Sequence, residues 1–191
     1  MSFIEIIAVA FSIIYVILAA KENIWCWLFG AVGSAIFVYI SFVAKYYYSS
    51  LLQLFYFLMA FYGYWNWNKV KVNTPFIKWS LKFNSLLIFT GIVVSIIFGF
   101  LLDNFSGIIN YLDKSPAPYL DSFATIFSLF ATLMVTKKVL ENWLYWIIIN
   151  ITNSYLYFIS DNKIIAGLFV FYTIISVFGY FSWKKQLNTL S

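Results

Sequence analysis

The chain has no histidine and one cysteine, Cys26, among its 191 residues. The side chain that most often shuttles protons near neutral pH is therefore missing. A lone cysteine closes no internal disulfide, and with scattered carboxylates it makes no metal-ligand cluster. Cys26 lies in an apolar run and is expected to be a buried, inert thiol. Arginine is absent too: all 12 basic residues are lysine, against 7 acidic ones, giving a net charge of +5. Charged residues are only 10% of the chain, where soluble domains carry roughly 25%. There is no Gly-rich phosphate loop, and Asp121-Ser122 has no base nearby in sequence. These absences speak against an enzyme, a metal site, a bound cofactor and a nucleic-acid partner.

What the chain does have is apolar surface: 63% hydrophobic residues, 24% aromatic, and a mean hydropathy of +0.88. A soluble fold of this length could not hide so much, so the lipid bilayer must be the solvent for most of it. Runs near the 20 residues needed to span lipid fall at 3–20, 25–44, 49–67, 81–102, 119–136, 142–160 and 164–183. This predicts an all-α membrane protein of seven transmembrane helices. The first run lacks a basic leader and is expected to remain as a span rather than be cleaved.

Seven spans put the termini on opposite sides. Lys21, Lys69, Lys71, Lys78, Lys82, Lys137, Lys138, Lys184 and Lys185 fall on one side; Lys45, Lys114 and Lys163 fall on the other. Lysine-rich loops stay in the cytoplasm. The N-terminus is thus expected outside and the C-terminus in the cytoplasm. Asp103, Asp113, Asp121 and Asp161 fall on the outer side, in agreement.

The two ends of the chain align without a gap at an offset of 116 residues. Identities include Ser12/Ser128, Trp27/Trp143, Tyr56/Tyr172, Gly63/Gly179, Trp67/Trp183 and Lys69/Lys185, and YGYWNWNK answers FGYFSWKK. The expected organisation is a first three-helix repeat at 1–68, an interfacial segment, linker helix and outer loop at 69–118, and a second repeat with a C-terminal tail at 119–191. An odd linker helix leaves both repeats facing the same way, a 3+1+3 parallel arrangement. Carriers built so place their substrate near mid-membrane, between the repeats.

The sixth run supplies the richest candidate site. Trp143, Trp146, Asn150, Asn153 and Tyr157 recur at spacings of three and four, on one helical face. Asparagine in hydrocarbon is costly unless hydrogen-bonded. Beside two tryptophans it suggests an aromatic-lined polar chamber, in which indoles stack a flat ring and amides bond its polar substituents. Helix–helix hydrogen bonding is the alternative role for each asparagine. In the third run Gln53, Tyr56, Ala60, Gly63 and Trp67 share a face, and Gln53 adds another uncharged polar group at depth. The second run has Gly30 and Ser34 where the sixth has Trp146 and Asn150. Apart from Glu5 and Asp121 near the outer ends, no charge lies deep in a span. That favours passive transport of a neutral or mildly cationic solute over ion-coupled pumping.

LENWLYWIIIN at 140–150, LDS at 120–122 and LLQLFYFLMAFYGYWNW at 51–67 resemble the PnuC-type nicotinamide riboside transporters, over nearly the whole chain. The resemblance implies a bundle like that of the SWEET sugar carriers. It also implies a homotrimer and facilitated vitamin uptake across the bacterial inner membrane, with a cytoplasmic kinase trapping the product. Trp143, Trp146, Asn150 and Gln53 match the family's substrate-facing positions. Two departures stand out: Ala60 and Phe178 occupy positions where the family often has asparagine. Relatives that resemble these carriers take thiamine, riboflavin or deoxynucleosides, so thiamine or another vitamin is the nearest alternative substrate. A non-transporting membrane subunit is the more distant one.

Overall fold

The computed structural model describes residues 3–69, 76–105 and 115–190. Among them are the helices α1 (Phe3–Ala20), α2 (Cys26–Val43), α3 (Tyr47–Lys69), α4 (Leu81–Phe105), α5 (Pro118–Thr136), α6 (Asn142–Ile159) and α7 (Lys163–Leu190). Each coincides with an expected run; α7 continues furthest past its run. Residues 70–75 and 106–114 of the expected connector, with Lys71, Asp113 and Lys114 of the charge tally, lie outside the described residues.

Helix is the dictated conformation, because lipid offers no partner for an unbonded backbone amide. The 18 residues of α1 rise about 27 Å at 1.5 Å each. Five helices, α1, α2, α4, α5 and α7, are long and apolar enough to cross a membrane. Helices α3 and α6 are more polar, because they carry Gln53, Asn66, Asn150, Asn153 and many of the tyrosines and tryptophans.

Helix α2 packs between α1 and α3, α6 packs between α5 and α7, and the two sets meet where α1 touches α7 and α3 touches α5. The result is a closed ring in the order α1, α2, α3, α5, α6, α7. Helix α4 lies outside it, mainly against α5, with side-chain contacts to α3 (Tyr48–Phe98) and α6 (the Tyr145 hydroxyl donating to Asn84 Oδ1). Consequently 56% of the α5 span is buried, against 17% of α1, although the two occupy matching places in the ring.

Contacts recur at the 116-residue offset. The Trp67 indole N–H donates to the Val135 carbonyl and the Trp183 indole to the Ala19 carbonyl, each at 3.1 Å. Trp27 meets Trp67 edge-on at 5.2 Å, and Trp143 meets Trp183 edge-on at 5.4 Å. Gly63 faces the Trp27 ring and Gly179 the Trp143 ring. A Cβ added at Gly179 would sit 2.6 Å from Trp143 Cδ2. Gly179→Ala should therefore cost about 1–3 kcal/mol through overpacking and lower the thermal midpoint of the purified protein. An unchanged midpoint would show that the buried indole has room to move.

Helices α1 and α5 end alike. The amide of Glu22 bonds the Ala19 carbonyl and that of Asn23 the Leu18 carbonyl; Lys138 and Val139 do the same to Val135 and Met134. These are Schellman turns, with Glu22 (φ 57°) and Lys138 (φ 54°) in the left-handed position that glycine usually takes. Lys45 and Asp161 end α2 and α6 the same way.

Glu22 and Lys138 form an ion pair with each other across the ring. At the same end Trp67 and Trp183 approach to 6.1 Å. Phe76 is buried against Trp183 at 4.7 Å. Its segment is strapped to the α5–α6 turn: Ile77 N–H donates to the Lys138 carbonyl (3.1 Å), and Leu140 N–H to the Ile77 carbonyl (3.0 Å). Trp79 N–H also donates to Glu141 Oε2 at 3.3 Å. The described part of the expected interfacial segment thus plugs the bundle end. Trp67 belongs to that seal, whereas Trp65 is half-exposed with Lys69 Nζ 3.5 Å over its ring.

Candidate functional site

The six-helix ring buries Trp143 and Asn150 of the face that α6 was expected to present, leaves Trp146 and Asn153 half-buried, and leaves Tyr157 exposed. Trp143 is buried, with its ring against Gly179 and its edge on Trp183. Trp146, half-buried, packs on both hydrophobic clusters of the bundle, the one around Trp143 and Trp183 and the one around Ala131 and Phe127. Asn150 is buried and has a protein partner: its Nδ2 donates to Ser176 Oγ on α7 at 3.2 Å, and that hydroxyl donates to the Tyr172 carbonyl at 2.8 Å. Tyr157 stacks on Phe169 at 5.4 Å with an interplanar angle of 12°.

On α3, the Tyr56 hydroxyl donates to Ser128 Oγ on α5 at 2.8 Å, bridging the two helix sets. Ser12 on α1 interacts with the Tyr172 hydroxyl at the matching place. Gln53 and Asn153 behave differently. Both are half-buried, and neither side-chain amide makes a hydrogen bond among the described residues. The predicted polar residues therefore divide: Asn150 and Tyr56 already have protein partners, while Gln53 and Asn153 offer free donors and acceptors.

Among the described residues further buried donors lack acceptors, the Ser122 hydroxyl on α5 among them. The indole N–H groups of Trp27 and Trp143 are buried with no hydrogen-bond partner. An unsatisfied buried donor costs about 1–3 kcal/mol and asks for a functional reason; a ligand acceptor supplies one. Two surface grooves lie elsewhere. One of about 370 Å³ runs between the outer faces of α6 and α7, past Ile151, Tyr155 and Ile174. The other, about 460 Å³, lies at Lys78, Trp79 and Lys137. Neither contains a predicted site residue.

The sequence departures resolve unequally. Phe178 is 68% exposed on the outside of the bundle, whereas Ala60 is buried in the Trp27–Trp143 cluster. Of the two, only Ala60 faces the interior of the ring. Three residues that the sequence reading passed over also matter: Phe76 and Glu22 in the end seal, and Tyr15, whose ring lies on Gly30. The signal for Tyr15 was present in the repeat. Positions 15 and 131 are tyrosine and alanine, while 30 and 146 are glycine and tryptophan.

Comparison with known proteins matches this architecture. The chain is 26% identical to the nicotinamide riboside transporter PnuC of Escherichia coli (strain K12), over 96% of this chain and 85% of that one. It is 23% identical to the protein of the same name from Neisseria mucosa, over 98% and 74% respectively. A solved structure described as the crystal structure of the vitamin B3 transporter PnuC superposes with a TM-score of 0.79. It is 22% identical, with 100% of this chain and 84% of that chain covered. The sequence model for the nicotinamide mononucleotide transporter family matches residues 2–185. The chain therefore belongs to the nicotinamide mononucleotide transporter family, membrane proteins that carry a solute rather than transform one.

Proposed function

We propose that this protein carries nicotinamide riboside by facilitated diffusion, through a chamber enclosed by the six-helix ring. The observation that carries this reading is the set of uncharged polar groups without protein partners, Gln53, Asn153 and the indoles of Trp27 and Trp143, inside an aromatic-rich ring. The riboside is preferred over the mononucleotide because a phosphate needs cations. The chain has no arginine, and Lys138, at the end of the ring, is paired with Glu22.

In this reading all seven helices span the bilayer in a 3+1+3 parallel repeat, with 1–68 and 119–191 as the repeats and 69–118 as the connector. The recurrence of contacts at the 116-residue offset, and the position of α4 outside the ring, support it. The lysine-rich end faces the cytoplasm of a bacterial inner membrane, which leaves the N-terminus outside. The substrate stacks near Trp143 and Trp146 and bonds Gln53, Asn150, Asn153, Tyr56 and Tyr157. The two triplets then rock to open inward. The protein works as a homotrimer, and a cytoplasmic kinase traps the product. Ala60, in place of an amide, favours a second reading with a different ring, thiamine first.

Uptake into vesicles holding the purified protein tests the proposal. Saturable influx of nicotinamide riboside is expected to persist when proton and sodium gradients are collapsed, and uphill accumulation that follows a gradient would contradict it. Asn150→Leu should weaken nicotinamide riboside binding roughly ten-fold or more, since a buried partner is lost, while the protein stays folded. Wild-type affinity in that variant removes Asn150 from the site.

A further inference from the structure

We propose that Tyr15 on α1 forms the second ring-bearing wall of the substrate chamber, the counterpart of Trp146, and reads the polar substituent of the substrate's ring with its hydroxyl. This rests on the nicotinamide riboside reading and adds a residue to it.

Symmetry separates scaffold from reader. Trp27/Trp143, Trp67/Trp183, Gly63/Gly179 and the Ser12–Tyr172 and Ser128–Tyr56 contacts are alike in the two triplets, so whatever they offer a solute they offer equally from both sides and cannot tell its two ends apart. An asymmetric solute must be recognised where the triplets differ. At one level they differ by a reciprocal exchange. In the second triplet the large ring comes from α6, as Trp146, and α5 supplies Ala131. In the first triplet it comes from α1, as Tyr15, and α2 supplies Gly30, where a Cβ would lie 2.9 Å from Tyr15 Cδ2. Both rings rest on the same cluster of Trp27, Trp67, Trp143 and Trp183.

The Tyr15 hydroxyl is placed to meet a ligand. The Tyr56 hydroxyl and Cys26 thiol lie within electrostatic reach. Tyr15 is half-buried, and its hydroxyl makes no hydrogen bond among the described residues. A Tyr hydroxyl with one end among apolar groups readily takes a polar partner, and here a ligand can supply it. The free amides stand at a second level. Asn153 follows Trp146 by seven residues, a rise of about 10 Å along α6. A ring held between Tyr15 and Trp146 would thus direct its polar appendage toward Asn153 and Gln53.

Titration calorimetry on the purified protein tests this with two probes: nicotinamide riboside, and N-ribosylpyridinium, which lacks the carboxamide. Tyr15→Phe keeps the ring and is expected to keep the thermal midpoint. It should weaken nicotinamide riboside roughly ten-fold, the effect of one lost hydrogen bond, and leave N-ribosylpyridinium unchanged. Equal loss for both probes would reveal a packing role and overturn the proposal, as would no loss for either. Tyr15→Ala/Gly30→Trp, which gives the first triplet the second triplet's arrangement, should restore the midpoint lost in Tyr15→Ala but not the preference for the carboxamide; restoration of both overturns the proposal. A wild-type protein that binds neither probe sinks the nicotinamide riboside reading itself, whereas wild-type binding with an indifferent Tyr15→Phe sinks only the role of Tyr15.

Discussion

Trp183→Ala is expected to lower the stability of the folded carrier by about 3–5 kcal/mol, the usual cost of truncating a buried aromatic, and to unseal the lysine-rich end. Trp183 is wholly buried. It meets the edge of Trp143, packs on Phe76 and approaches Trp67. Its indole also satisfies the Ala19 carbonyl on the other triplet. Truncation removes all of this at once and leaves Phe76 without the ring it rests on. Trp183→Phe keeps a ring and loses the hydrogen bond, so it should cost nearer 1 kcal/mol. Cys26 is a built-in reporter: it is the only cysteine, it is fully buried, and it belongs to the same cluster. Maleimide labelling of Cys26 should accelerate in Trp183→Ala far more than in Trp183→Phe. Equal, slow labelling in both, with an unshifted midpoint, would mean that the seal does not depend on this side chain.

Glu22→Lys should have the second large effect, and mainly on conformation. It replaces the ion pair joining the triplets with two ammonium groups at close range. The side chains of Lys138 and Glu22 keep 14% and 23% of their accessible surface, so solvent screens part of the repulsion. A remaining difference of about 1.4 kcal/mol still moves a two-state equilibrium ten-fold. Cys26 labelling is therefore expected to rise about ten-fold, and Lys138→Glu should behave likewise. The double exchange Glu22→Lys/Lys138→Glu restores opposite charges and should return labelling to the wild-type rate. If the double variant labels as fast as the single ones, the pair does not hold the end closed.

Much of the fold was legible because hydropathy and helix length are tied directly to membrane thickness. The first helix, 3–20, coincides with its run, and others differ by a few residues at their ends. The 116-residue offset was legible because Trp, Gly and Lys keep their register through otherwise interchangeable apolar residues. Partners were less legible. Periodicity placed Asn150 on the right face but did not reveal that Ser176 would already occupy its amide. Charge counting treated Lys138 as a marker of orientation, yet its nearest charge is Glu22, far away in sequence and adjacent in space. Phe76 was invisible because a single phenylalanine in a polar connector has no pattern. Tyr15 lies in an ordinary apolar run, and only comparison with Ala131 and Gly30 gives it meaning.

The contact between Glu22 and Lys138 also bears on how such a chain could arise. Both residues occupy the same left-handed turn, one after each leading helix, and they meet each other there. Two identical half-length chains pairing about a common axis would bring glutamate against glutamate, or lysine against lysine, at that spot. Opposite charge at a self-matching position demands two different amino acids. The bond is thus closed to two copies of one half-length sequence and open only to halves that have diverged, and it gives each half a reason to prefer the other over a copy of itself.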